Sequence, residues 1–106
     1  MTHALDALFA TIESRRGSDP GESYTAKLFA GGAPLIARKV GEEAVETAVA
    51  ALSADKTAVV KESADVLYHL ATLWAHLDID PAEVWAELES RTAQSGLAEK
   101  ASRPKE

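Results

Sequence analysis

Apolar residues return along this chain every three or four positions, the repeat of one face of a helix. Leu5, Leu8, Phe9 and Ile12 form the first such set, with Arg15 and Arg16 in its last turn and Gly17 as a stop. The segment 17–22 has the composition of a loop. Ser23 can cap a short helix through Phe29, which Gly31 and Gly32 end. Pro34 suits the first turn of a long helix running to about Leu52, with Gly41 its internal weak point. After a tight connection over 53–56, Asp55 or Thr57 caps a second long helix that extends to about Leu77. Asp80-Pro81-Ala82-Glu83 reads as a capping box that opens a last helix through Val84, Trp85, Leu88 and Arg91, closed by Ser95-Gly96. Trp74 and Trp85 fall at apolar helical positions, as core or subunit contacts rather than stacking platforms for a base. No stretch alternates with period two. The predicted fold class is all-α: a helical bundle with two long central helices, antiparallel because their connection is short.

The chain has 106 residues, a single domain over 1–106. Its 17 acids against 11 Lys and Arg give a formal charge of −6, which argues against nucleic acid or anionic lipid as a partner. Cysteine is absent, so disulfides, thiolate catalysis and Cys-type zinc sites are excluded. No apolar run approaches the roughly 20 residues that cross a bilayer. The first six residues carry no basic n-region, so a secretory leader is not expected and the cytoplasm is the default location.

The acids depart from an ordinary amphipathic pattern. On a helical wheel, Glu43, Glu46 and Lys39 fall within one arc, and Leu35, Ile36 and Ala50 are interleaved with them. On the next helix Glu62, Asp65 and His69 share an arc in the same way with Leu73, Val66 and Val59. Lys61, Ala64 and Tyr68 fall on the more exposed side. Each long helix thus turns an i, i+3 acid pair toward the presumed core: Glu43 with Glu46, and Glu62 with Asp65. Lys39 and Arg38 cannot neutralise four inward carboxylates, whereas a hard divalent cation such as Mg²⁺ can. A single acid cluster on a helix is ordinarily a solvated face; two on consecutive helices, both set in apolar arcs, favour metal. A di-iron bundle would need Glu-x-x-His on two helices, and none is present. Val45 and Leu52, opposite the acids, still need burial, which predicts a homodimer.

Glu42-Glu43-x-x-Glu46, followed after the intervening segment 47–61 by Glu62-x-x-Asp65, is similar to the signature of the MazG-like all-α nucleoside triphosphate pyrophosphatases. Ser23-Tyr24-Thr25-Ala26-Lys27-Leu28, the words around both acid pairs, and Ser95-Gly96-x-x-Glu99-Lys100-Ala101-Ser102-Arg103 resemble, more narrowly, the phosphoribosyl-ATP pyrophosphatase family. The resemblance covers roughly Leu5 to Arg103. It implies Mg²⁺-dependent hydrolysis of N1-(5-phosphoribosyl)-ATP to N1-(5-phosphoribosyl)-AMP and pyrophosphate, the second step of L-histidine biosynthesis, by a helical homodimer. It implies Glu43, Glu46, Glu62 and Asp65 as metal ligands and Glu42, Glu43 and Glu46 as catalytic, with Glu42 either on a second metal or orienting the attacking water. Lys39, already on the acid face, is joined by Lys27, Arg38, Lys100 and Arg103 as phosphate contacts. The segment from Leu97 to Arg103 has little apolar content to hold it on a core, and it is expected to close over the substrate's phosphates. Arg38 equally suits an i, i+4 pair with Glu42. Leu35 stands where many members carry Lys or Arg. His69 either donates to the Asp65 carboxylate or is a bonded core histidine; His3 and His76 show no partner at useful spacing. A house-cleaning nucleoside triphosphate pyrophosphatase and a non-catalytic helical dimer module remain the alternatives.

Overall fold

The computed structural model describes residues 3–92, 100, 101 and 103. Four helices follow one another: α1 (Ala4–Arg15), α2 (Tyr24–Leu52), α3 (Lys56–His76) and α4 (Pro81–Thr92). No strand occurs among the described residues. The stop expected at Ser95-Gly96 and most of the tail expected to close over substrate lie outside them.

Local chemistry sets most of the helix ends. The Ser23 hydroxyl accepts from the Ala26 N–H at 3.1 Å and the Asp55 carboxylate from the Ala58 N–H at 3.0 Å, each satisfying a donor that the first turn leaves orphaned. At α4 the Glu83 carboxylate reaches back to the Asp80 N–H, the reciprocal half of a capping box. His3 does have a partner: its Nδ1 accepts from the Leu5 N–H and caps α1. Arg16 leaves α1 and donates to the Ala75 carbonyl at 2.8 Å, covering the end of α3 with a cation where the helix dipole is negative.

The short helix expected at Ser23 and the long helix expected from Pro34 run on as one element, α2, broken in direction at Gly32. Gly32 has φ 71° and ψ −170°, a region open essentially to glycine alone. Pro34, without an N–H to offer, restarts the helix beyond the bend. Gly31 is also constrained, since a Cβ there would lie 2.3 Å from Leu35 Cδ2.

Residues 24 and 25 meet 69 and 68, and 43 meets 62, so partners fall along α3 as they rise along α2 and the two helices run antiparallel. The core occupies one end of this pair. Leu5 and Ile12 of α1 pack with Ala71, Trp74 and Ala75 of α3, and Val84 and Trp85 of α4 lie against them. Trp74 and Trp85 meet edge to face with centroids 5.9 Å apart, as core residues. At the other end, Val45, Val49, Leu52 and Val60 stand 57–89% exposed. No helix among the described residues is long and apolar enough to cross a membrane.

Candidate active site

Beyond the bend, the buried residues of α2 are Ile36, Glu43 and Ala50. They recur every seven positions, the spacing of a seam between packed helices. Glu43 therefore faces α3 for the same geometric reason as its apolar neighbours, and only 9% of it is exposed. Glu62 and Asp65, one turn apart on α3, come from the other side. Glu43, Glu62 and Asp65 each bring a carboxylate oxygen within 4.8 Å of the others. Glu46 is exposed and stands outside this trio, though still close to Glu43 and Glu62; the seam is narrower than the wheel suggests.

One oxygen each of Glu43 and Glu62, Oε2 in both, is sealed from solvent and has no hydrogen-bond partner among the described residues. Orphaned carboxylate oxygens in such a place are costly unless a cation completes them. Contact with the Glu46 carboxyl, then burial and the charge of Glu46, lifts Glu62 to about 7. Burial first, then the Glu46 carboxyl, raises Glu43 as well. These groups resist ionisation because each new charge meets others of the same sign. An all-oxygen, acidic donor set with unsatisfied buried lone pairs fits a hard divalent cation, which would reverse that preference.

A second feature adjoins the first. Tyr24, Lys27, Leu28, Leu35, Arg38 and Lys39 line a pocket of about 170 Å³. Lys27 comes from before the Gly32 bend and Arg38 and Lys39 from after it, so three of the five expected phosphate contacts share one cavity. Glu42 lies outside the trio. It accepts from Lys39 Nζ at 3.1 Å and pairs with Arg38 at 3.5 Å, holding both cations at the pocket. Contact with Glu42 and the nearby Tyr24 hydroxyl raise Lys39, which keeps it charged. Leu35, in place of the expected cation, packs over Gly31 as apolar wall. Lys100 and Arg103 are exposed and do not line this pocket; the Arg103 N–H donates to the Lys100 carbonyl at 3.3 Å.

His69 does not donate to the Asp65 carboxylate. Its Nδ1 lies 2.7 Å from the Asp65 main-chain carbonyl and its Nε2 2.9 Å from the Tyr24 hydroxyl. Tyr68, expected on the exposed side, is half-buried, because its hydroxyl reaches across to bond Thr25 and its ring stacks on Tyr24. A helical wheel cannot find these tyrosine contacts, because their partners sit on another helix, far along the chain. The Ser23-Tyr24-Thr25 segment is the available signal.

Fold and site together define an all-α protein with a carboxylate cluster on two packed helices and, beside it, a pocket lined by three basic residues. The family described as phosphoribosyl-ATP pyrophosphohydrolase matches residues 5–92, and the chain belongs to that family. It is 60% identical over 101 residues to a phosphoribosyl-ATP pyrophosphatase of Paramagnetospirillum magneticum, covering 95% of this chain and 93% of the relative. The protein of the same name from Azospirillum brasilense is 56% identical, over 93% of this chain and 89% of its own. That of Rhizorhabdus wittichii is 54% identical, over 99% of both.

Proposed function

We propose that this single-domain chain hydrolyses N1-(5-phosphoribosyl)-ATP to N1-(5-phosphoribosyl)-AMP and pyrophosphate with Mg²⁺, the second step of L-histidine biosynthesis, in the cytoplasm. The observation that carries the reading is the convergence of Glu43, Glu62 and Asp65 with two orphaned buried oxygens, beside a pocket lined by three cations. Glu43, Glu62 and Asp65 would hold the metal, with Glu46 joining from the rim. Bound Mg²⁺ supplies polarisation of the phosphoryl oxygens and a lowered pKa for attached water.

The protein's own groups do the rest. Lys27, Arg38 and Lys39 bind phosphate oxygens away from the metal, where a polyanion would otherwise be repelled by a chain of charge −6. Lys100 and Arg103 add to them from the tail. Glu42 orients Arg38 and Lys39, and in this reading its carboxylate takes the proton that a water loses on attacking phosphorus. The new oxygen–phosphorus bond forms as the bond to the bridging oxygen between the α and β phosphorus atoms breaks.

The active unit in this reading is a homodimer. The core covers only one end of the α2–α3 pair, and the apolar residues at the other end, Leu52 at 89% exposed and Val60 at 70%, call for a second copy. Pyrophosphate release from phosphoribosyl-ATP, compared with ATP and deoxynucleoside triphosphates in Mg²⁺ and in chelator, tests the function. Strong preference for phosphoribosyl-ATP is expected. Equal turnover of the common triphosphates would favour a house-cleaning enzyme, and no release from any of them a non-catalytic module.

A further inference from the structure

We infer that Tyr24 and His69 are positioning residues that fix the basic pocket against the carboxylate cluster. The inference rests on the pocket's being the phosphate side of the proposed site. It begins with His69, 4% exposed on α3. A carbonyl oxygen only accepts, so the 2.7 Å contact between Nδ1 and the Asp65 carbonyl places the ring hydrogen on Nδ1. In the neutral ring Nε2 is then an acceptor, and Tyr24 donates its hydroxyl hydrogen to it at 2.9 Å.

The bend at Gly32 gives this bond its importance. A continuous helix would fix the direction of Lys27 relative to Arg38 and Lys39 through its own ladder. Gly32 leaves helical geometry between them, so the segment before the bend takes its orientation from its contacts. Two of those are hydrogen bonds to consecutive α3 residues: Tyr24 to His69 and Thr25 to Tyr68. Together they set both the position of the segment and its rotation about its axis. Lys27 is three residues beyond Tyr24, on the same side of the helix, and both line the pocket. At the far end of the link His69 is bonded to the residue whose side chain belongs to the carboxylate trio. A connected path thus runs from the pocket lysine to the cluster.

Tyr24→Phe removes one oxygen and keeps the ring stacked on Tyr68. One hydrogen bond of this kind corresponds to a KM for phosphoribosyl-ATP raised about five- to tenfold, with kcat changed less than about twofold. His69→Asn keeps a donor for the Asp65 carbonyl, deletes the acceptor for Tyr24, and should give the same split. If Tyr24 acts through Lys27, adding Tyr24→Phe to Lys27→Met costs nothing further, whereas a purely structural role multiplies the two losses. The same cycle read from binding of inorganic pyrophosphate in Mg²⁺ separates this inference from the proposed reaction. A wild-type chain that releases no pyrophosphate from phosphoribosyl-ATP overturns the reaction, and the binding cycle still decides the positioning. Long-range ¹H–¹⁵N spectra should show His69 as the Nδ1–H tautomer. An Nε2–H tautomer, an unchanged KM in Tyr24→Phe, or multiplicative losses in the cycle would overturn the inference.

Discussion

Glu43 and Glu62 face each other across α2 and α3, each with a carboxylate oxygen that neither water nor a donor among the described residues reaches. Helix packing brings them together, since Glu43 occupies a seam position between Ile36 and Ala50. Such an arrangement costs the metal-free chain stability that a bound cation would restore.

That trade has a pH signature. Glu62 titrates at about 7 in the folded chain, and near 4 when unfolded. Between those values the folded state holds a proton that the unfolded state releases, so stability falls as pH rises through the window. Thermal melts in chelator should show this decline from about pH 5 to 7, and Glu62→Gln should flatten it. Added Mg²⁺ should raise Tm most at pH 8, above the titration of Glu62. Identical slopes in the two proteins would exclude Glu62 as the source.

Glu46 stands at the rim of the cluster, so its part in the reaction is a separate question. Glu46→Gln keeps shape and removes one charge. Activity should fall at least ~10²-fold, while the metal-free protein keeps or gains stability because Glu43 and Glu62 lose a like-charged neighbour. Near-normal turnover would take Glu46 out of the ligand set.

Assembly can be read by light scattering. The chain of 11.2 kDa should run as a particle of twice that mass at micromolar concentration. Val45→Glu, on an exposed apolar face far from the described core, should shift it toward the monomer. A compact wild-type monomer would contradict the dimer.

The backbone at Gly32 is tested by Gly32→Ala. The φ and ψ there suit glycine alone, so the change should lower stability by about 1–3 kcal/mol, measured by denaturant titration. It should also disturb KM more than Mg²⁺ affinity, because Glu43 and Glu46 lie beyond the bend in α2 and Glu62 and Asp65 lie on α3. A neutral effect on both would mean that the bend is not required.

Local rules make much of this legible in the sequence. Ser23, Asp55 and the Asp80–Glu83 box cap the helices they are expected to cap, because a cap is decided within four residues. The wheel places Glu43 and Glu62 on inward faces, since helical angles need no tertiary knowledge. It fails where width or distance matters. Glu46 on α2 and Asp65 on α3 share the inward arcs yet are exposed; on α2 beyond the bend the buried residues are only those spaced seven apart. Tyr68 lies on the outward arc yet is drawn in by Thr25, a residue from another helix. Arg16 reads in the sequence only as a last-turn charge, and its capping of α3 depends on two helix ends meeting in space.

Residue 65 answers to two neighbours with two different parts of itself. The carboxylate faces the cluster, whereas the group held by His69 is the peptide carbonyl, which every amino acid possesses. Mutation can therefore separate what the fold has joined. Asp65→Ala deletes the acidic group and leaves the histidine its acceptor, so the alignment of the two helices is inherited with the main chain and is indifferent to the side chain chosen there.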